Sequence, residues 1–242
     1  MKLSVILPVY NEAGTVRSLL DKVIGVDLSQ LNIEKEVIII ESNSTDGTRE
    51  IIQEYEKKQG IRAIYQKRPK GKGSAVRLGF KHASGDIFLI QDGDLEYDPD
   101  EYPKLIKPII DGHADFVLGS RQLGKDNDWK IRSSKKEAVY FKLLNFGGLF
   151  YTSLFNLLYN TKLTDPATMY KVFKPQYIQN TRFRTNGFDF DWELVARLIQ
   201  NKARVIEVPI TYESRLVQEG KKIRFFRDGI KVFLAILRFR FT

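Results

Sequence analysis

The sequence contains no cysteine and only two histidines, His82 and His113, in 242 residues. Without cysteine the chain forms no disulfide, no thiolate metal site and no thiol nucleophile, which fits the reducing cytoplasm. Two histidines are too few for a multi-histidine metal centre. His82 lies within a helical pattern and His113 follows Gly112 in a predicted turn, so we interpret both as structural.

Long apolar runs are also missing. The longest stretch without a charged residue, 143–161, has 19 residues, enough to span a bilayer, but it contains several Asn, Gly, Ser and Thr residues. We predict a buried or membrane-surface helix there. The N-terminal apolar stretch is too short for a signal peptide. Residues 229–242 are apolar with basic neighbours, which predicts either an amphipathic helix at a membrane surface or a helix docked on the protein core.

Charge is unevenly distributed along the chain. Residues 1–120 carry 16 Lys and Arg against 19 Asp and Glu, a net charge of −3, whereas residues 121–242 carry 23 against 11, a net charge of +12. A basic second half favours an anionic partner: nucleic acid, an anionic membrane or a phosphorylated substrate. The sequence shows no helix-turn-helix and no aromatic RNA-binding pattern, so we expect no nucleic-acid partner.

Apolar runs with strand character alternate with helical periodicity through residue 119, which predicts a parallel, Rossmann-like sheet covered by helices. The predicted strands are 3–9, 36–40, 61–65, 87–91 and 115–119. Polar loops follow the strands, at 10–12, 41–46, 67–72 and 92–96, where such sheets bind ligands. The second half is less regular, with helices over 135–159 and 191–200 and a strand over 204–208.

Two of these loops carry residues suited to phosphate chemistry. Asp92 and Asp94 follow a buried strand at i and i+2, with Glu96 two residues further, and such carboxylates can hold Mg²⁺ or Mn²⁺ together with a diphosphate. Gly71 and Lys72 open a helix in a basic glycine-rich turn that can meet an anion. The spacing is not that of a P-loop, and no GxGxxG follows the first strand, so dinucleotide binding is not expected.

Several segments together carry a resemblance to a known family. In order, these are PVYNE, ESNSTDGT, GKGSA, QDGDLEYDP, GSR, TDPATMYKVF and EGKKI, between Pro8 and Ile223. The combination resembles inverting family 2 glycosyltransferases of the GT-A fold, and within them dolichyl-phosphate mannose synthases and polyprenyl-phosphate glucosyltransferases. The resemblance implies an α/β fold with a mostly parallel sheet, a GT-A domain over 1–228 and a C-terminal helical elaboration. Its nucleotide-sugar half would be 1–120 and its acceptor half 121–228, followed by an amphipathic helix over 229–242.

The resemblance also implies roles for individual residues. Those that would bind the nucleotide sugar are Pro8, Tyr10, Glu12, Glu41, Lys72, Asp92, Arg215 and Lys221. Asp94 and Glu96 would bind Mg²⁺ or Mn²⁺. Arg121 and Arg132 would hold the acceptor phosphate, with Ser133 beside them. Glu41 stands where the family commonly has aspartate.

The implied reaction moves mannose or glucose from GDP-mannose or UDP-glucose to a polyprenyl or dolichyl phosphate, at the cytoplasmic face of a membrane. A phosphate monoester is largely ionised at pH 7 and needs no general base. The alternative acceptor is a sugar hydroxyl, which needs a carboxylate base. Asp165, Asp189, Asp191 and Glu193 are the candidates, although Asp165 before a proline is most simply a turn residue.

Overall fold

The computed structural model describes residues 1–123, 138–214 and 225–241. Within them, seven strands form one sheet in the order β3-β2-β1-β4-β6-β5-β7. The strands are β1 (Lys2–Val9), β2 (Glu34–Glu41), β3 (Ile61–Tyr65), β4 (Ile87–Ile90), β5 (Phe116–Ser120), β6 (Lys171–Phe173) and β7 (Val205–Pro209). The helices are α1 (Val16–Gly25), α2 (Thr48–Tyr55), α3 (Lys72–His82), α4 (Tyr102–Ile110), α5 (Ala138–Tyr159), α6 (Phe190–Gln200) and α7 (Phe225–Arg240).

Strands β2, β1 and β4 are parallel neighbours and are mostly buried. In the middle of β1, Val5 pairs with Val37 of β2 on one side and Leu89 of β4 on the other. Near-continuous Val, Ile and Leu are typical of a sheet covered on both faces. The predicted parallel sheet with flanking helices is therefore confirmed, with strand limits that differ by at most two residues.

The sequence did not reveal β6. This strand has three residues, too few for an alternating pattern to show, and its first residue, Lys171, is a buried lysine. It runs antiparallel between β4 and β5 and pairs with both. The sheet is therefore mostly, and not wholly, parallel.

The loops after the first two strands meet at the carboxyl edge of the sheet, as predicted. The backbone N–H of Asn11 donates to Ser44 Oγ at 2.9 Å, and that of Glu12 donates to Thr48 Oγ1 at 2.8 Å. These bonds tie the loop after β1 to the loop and helix start after β2. They fix one wall of the cavity described below.

The C-terminal helix α7 is docked on the protein core, one of the two alternatives drawn from its sequence, and the membrane-surface alternative stays a prediction. One face packs on the core through Val232, Ile236 and Phe239, and Tyr159 Oη of α5 donates to the Ile236 carbonyl at 3.0 Å. The opposite face leaves Ile230 and Leu234 exposed. The helix begins at Phe225, four residues before the predicted limit. Within the described ranges, no helix is long and apolar enough to cross a membrane.

Gly79 allows α3 to pack closely on β1, because a Cβ atom there would lie 2.4 Å from Ile6 Cγ2. We expect Gly79→Ala to lower the free energy of unfolding by about 1–3 kcal/mol through overpacking. Gly25 is the matched control, since it is also helical and a Cβ there meets nothing within 4 Å. Gly25→Ala should leave stability unchanged or raise it by up to about 1 kcal/mol. Urea denaturation of both variants checks this, and equal midpoints would contradict the close packing.

Candidate active site

A cavity of about 730 Å³ opens at the carboxyl ends of β1 and β4. Its wall includes the loops after β1 and β4, the start of α3 and the first turns of α7. The predicted site residues that line it are Pro8, Tyr10, Glu12, Lys72, Asp92, Asp94, Glu96 and Arg121. Residues far apart in the sequence thus share one cavity. The other predicted residues Arg132, Ser133, Arg215 and Lys221 lie outside the described residues.

The acidic loop after β4 is held by its own backbone and by neighbouring side chains. Asp94 Oδ1 accepts the Glu96 backbone N–H at 3.1 Å, and Thr15 Oγ1 donates to the Gly93 carbonyl at 3.2 Å. Tyr212 Oη donates to Glu96 Oε2 at 2.9 Å. Asp92, Asp94 and Glu96 therefore present their carboxylates to the cavity from a constrained turn.

These carboxylates suit a hard divalent cation. In the part of the chain that the structure describes, no three His, Asp or Glu side chains form a ready-made metal cage. Mg²⁺ usually takes one or two protein carboxylates and completes its shell with water and substrate phosphates. An oxygen-only donor set beside a cavity is consistent with that mode of binding, so the residues fit Mg²⁺ or Mn²⁺.

A network of four charged side chains lies beside the acidic loop. Lys72 Nζ is 3.1 Å from Asp92 Oδ1 and 3.5 Å from Asp191 Oδ2, and Lys171 Nζ is 3.2 Å from Asp191 Oδ1. The start of α3 lies close to the Asn186 backbone: the Gly73 N–H donates to the Asn186 carbonyl oxygen at 2.8 Å, and a Cβ atom at Gly71 would fall 2.3 Å from that oxygen. Lys171 and the pairing of Asp191 with Lys72 were not predicted from the sequence.

The network controls the charge of its members. Burial raises the pKa of Asp92, and Lys72 acts in the opposite direction. Burial opposes the charged form of Lys72, but Asp191 and Asp92 outweigh it and raise its pKa. Burial also opposes ionisation of Asp191, yet Lys171 and Lys72 lower its pKa. The network therefore keeps an ammonium group at the cavity wall and makes Asp191 a weak base.

Arg121 follows β5 and is fixed in a buried ion pair with Asp165. Its Nε and Nη2 atoms donate to the Asp165 oxygens at 2.7 and 2.8 Å, and its backbone N–H donates at 3.0 Å. Asp165 is held in turn, because its backbone N–H donates to Glu207 Oε1 at 2.9 Å. The interpretation of Asp165 as simply a turn residue was wrong: it is 2% exposed and orients Arg121.

Two other predicted residues, Glu41 and Glu193, are buried and do not line the cavity as Arg121 does. Glu41 is fully buried and is not among the lining residues of the cavity, because Arg49 Nε and the Ser44 backbone N–H bind its carboxylate at 2.7 and 2.5 Å. Its contact with the donor base or ribose stays a prediction. Glu193 is also fully buried and accepts the backbone N–H groups of Arg184 and Thr185.

The model of the family described as Glycosyl transferase family 2 matches residues 4–181. This chain belongs to glycosyl transferase family 2. It is 32% identical over 224 residues to a dolichol-phosphate mannosyltransferase of Pyrococcus furiosus, covering 91% of this chain and 59% of that protein. It is 31% identical over 137 residues to an undecaprenyl-phosphate 4-deoxy-4-formamido-L-arabinose transferase of Proteus mirabilis, covering 56% of this chain and 41% of that protein. This family 2 chain thus spans about 40–60% of the length of these curated relatives.

Solved structures show that this family 2 chain has the GT-A fold. The glucosyl-3-phosphoglycerate synthase of Mycobacterium tuberculosis, in complex with Mn²⁺, UDP and phosphoglyceric acid, superposes with a TM-score of 0.72 at 19% identity, covering 99% of this chain and 78% of that one. The mannosyl-3-phosphoglycerate synthase of Rubrobacter xylanophilus gives 0.71 at 18% identity, covering 99% and 72%. The predicted family and fold class are therefore confirmed.

Proposed function

We propose that the chain is the catalytic domain of an inverting, metal-dependent glycosyltransferase. It transfers mannose or glucose from GDP-mannose or UDP-glucose to a polyprenyl or dolichyl phosphate at the cytoplasmic face of a membrane. The observation that carries the proposal is one cavity lined by the acidic loop, by Lys72 and Arg121, and by α7, whose outer face is apolar. The named relatives, which transfer sugars to dolichol phosphate and undecaprenyl phosphate, support it.

The proposed roles follow from charge and position. Asp94, with Asp92 and Glu96, would hold Mg²⁺ or Mn²⁺, which when bound neutralises charge on the departing nucleoside diphosphate. Lys72 supplies a fixed positive charge beside Asp92. Pro8, Tyr10 and Glu12 line the cavity and would bind the nucleotide. Arg121 would bind the acceptor phosphate, because Asp165 engages two of the five N–H donors of its guanidinium and fixes its plane.

The acceptor phosphate is the nucleophile. One of its oxygens forms a bond to the anomeric carbon as the bond from that carbon to the nucleoside diphosphate breaks, with inversion. The second pKa of a phosphate monoester is about 6, so this oxygen is already ionised at pH 7. No proton has to be removed by the protein.

The carboxylates that a sugar-hydroxyl acceptor would require as a base are each bound to a cationic side chain or to backbone N–H groups. Asp165 binds Arg121, and Asp191 lies between two lysines that lower its pKa. Glu193 accepts backbone N–H groups away from the cavity, and Asp189 Oδ1 accepts the Gly187 N–H at 3.0 Å. The lipid-phosphate acceptor is therefore the better fit to these contacts.

The deciding experiment combines donor and acceptor panels. GDP-mannose and UDP-glucose are offered with Mn²⁺ or Mg²⁺, and with either undecaprenyl phosphate in vesicles or soluble oligosaccharides. We expect metal-dependent transfer from one donor to the lipid phosphate. Transfer to sugar hydroxyls alone, abolished by Asp191→Asn while donor binding by calorimetry persists, would refute the lipid-phosphate acceptor.

Membrane association is proposed through the outer faces of α5 and α7. Exposed apolar side chains recur on α5 at helical spacing: Val139, Leu143, Phe146, Phe150 and Leu157. Arg238 and Arg240 lie near the end of α7, where they suit anionic lipid headgroups. The domain limits proposed from the sequence place the nucleotide-sugar-binding half at 1–120, the acceptor half at 121–228 and the amphipathic C-terminal helix at 229–242.

Removing two of these aromatic rings should weaken binding to vesicles. We expect Phe146→Gln with Phe150→Gln to lower the partition coefficient onto anionic vesicles at least about tenfold, since each buried phenyl ring contributes about 1.5–3 kcal/mol. Ile206→Gln changes an exposed apolar residue on β7 and is the control. Co-flotation measures the effect, and equal flotation of all three proteins would exclude the α5 face.

A further inference from the structure

The segment that follows β7 connects two charged parts of the cavity wall. The Ile210 backbone N–H donates to the carbonyl of Ser120, the last residue of β5, at 3.1 Å. The Glu213 backbone N–H donates to the Glu96 carbonyl in the acidic loop after β4, at 3.0 Å. The side chain between these two attachments, Tyr212, lines the cavity.

Tyr212 contacts two charged side chains of the cavity wall. Its Oη atom donates to Glu96 Oε2 at 2.9 Å, and the Arg121 Cζ atom lies 5.1 Å from the centre of its ring. A guanidinium within about 6 Å of an aromatic ring is attracted to the face of that ring. Because Tyr212 is 9% exposed, both contacts are largely shielded from solvent, which strengthens them. One side chain therefore links Glu96 to Arg121 through two different groups.

Other tyrosines hold the Tyr212 ring in place. Tyr97 packs against it edge to face, with ring centres 5.1 Å apart, and the two residues form an isolated antiparallel backbone bridge. Tyr97 is fixed in turn, because its Oη accepts the Met169 backbone N–H at 3.1 Å and its ring lies 4.9 Å from that of Tyr170. A side chain held in this way loses little further conformational freedom when ligands bind, so Tyr212 is suited to orient its neighbours.

We propose that Tyr212 is a positioning residue with two separable actions. Its hydroxyl orients the Glu96 carboxylate for the divalent cation, and its ring orients the Arg121 guanidinium for the acceptor phosphate. Asp165 holds the same guanidinium through two N–H donors, so the carboxylate and the ring together fix its direction. The inference rests on the roles of Glu96 and Arg121 in the proposed function. It assigns the hydroxyl and the ring to different ligands, which variants can separate.

Tyr212→Phe tests the hydroxyl, because it removes the hydrogen bond to Glu96 and keeps the ring. Calorimetry titrates Mn²⁺ into the protein with GDP or UDP present, whichever the unmodified protein binds, and this measurement requires no turnover. Loss of a group that orients a metal-binding carboxylate weakens metal binding, so we expect the Kd for Mn²⁺ to rise at least about tenfold. Tyr55→Phe is the matched control and should leave the Kd unchanged. Tyr55 is also buried, and its Oη donates to Asp21 Oδ1 at 2.6 Å, but it does not line the cavity.

Tyr212→Leu tests the ring, because it also removes the contact with Arg121. Farnesyl phosphate is the acceptor, and Mn²⁺ is kept at saturation. We expect the KM for the acceptor to rise about 5–30-fold, the effect of losing a shielded contact between a cation and an aromatic ring. The kcat should stay near that of the unmodified protein, whereas a general disturbance of the fold would lower it. Tyr212→Phe, which retains the ring, should keep the original KM for the acceptor.

Either of two results would overturn the inference. An unchanged Kd for Mn²⁺ in Tyr212→Phe would show that the hydroxyl does not orient Glu96. Equal KM values for the acceptor in Tyr212→Phe and Tyr212→Leu would show that the ring does not orient Arg121. Both results leave the proposed function standing, because the unmodified protein would still transfer sugar to the phosphate. If the unmodified protein transferred sugar to no phosphate monoester, the proposed function itself would fail.

Discussion

Replacing Asp94 with asparagine is expected to lower kcat/KM for sugar transfer at least about 100-fold. Asp94 lies in the constrained turn after β4 and lines the cavity with Asp92. Loss of one anionic oxygen ligand weakens the binding of a divalent cation, because such a cation has few protein ligands. In the proposed reaction the cation would also stabilise charge on the leaving diphosphate, so both donor affinity and turnover should fall.

Asp98→Asn is the matched control for this change. Asp98 lies four residues further along, pairs with Lys22 at 3.3 Å and does not line the cavity. The same chemical change there should alter activity by less than twofold. Calorimetry with and without Mn²⁺ completes the test: the metal should strengthen donor binding to the Asp98 variant and not to the Asp94 variant. Metal-enhanced binding retained in Asp94→Asn would remove Asp94 from the metal site.

Replacing Asp165 with asparagine is expected to lower the free energy of unfolding by about 3–5 kcal/mol. The change leaves the Arg121 guanidinium, which is 4% exposed, without its anionic partner. Removing one member of a buried ion pair costs that much because the other charge remains buried. Urea or thermal denaturation measures the loss.

Two further variants separate the ion pair from other effects of the change. Arg121→Met with Asp165→Asn removes both charges, so the double variant should be more stable than Asp165→Asn alone. Asp111→Asn breaks an exposed pair with Lys107 on α4 and should cost no more than about 0.5 kcal/mol. If Asp165→Asn unfolded at the same urea concentration as the unmodified chain, Arg121 would not depend on Asp165.

The sequence predicted those parts of the structure that depend on local residue patterns. The buried runs around Val5, Val37 and Leu89 predicted the strands, and the order of strands and helices predicted which loops would share one edge. Asp92, Asp94 and Lys72 were found because they follow a strand or open a helix. Their shared cavity is a consequence of the parallel sheet.

The contacts that orient the side chains of the site could not be derived from the spacing of residues along the sequence. Arg121 and Asp165 are 44 residues apart, and neither has a local pattern that points to the other. Lys72 and Asp191 meet only because α3 and α6 pack near each other, and Lys171 belongs to a strand too short to recognise. Such pairs depend on tertiary packing.

The position of β6 has a consequence for synthesis of the chain on the ribosome. Among the residues that the structure describes, β4 and β5 do not pair with each other: each pairs with β6, which begins at residue 171, and the other partner of β5 is β7. Until those residues have emerged, β4 has an open apolar edge and β5 has no strand beside it. Unpaired edges of this kind promote aggregation. Residues 1–120 therefore depend on strands formed after residue 170 to complete their sheet, so nascent chains that stall before residue 171 should need chaperone protection.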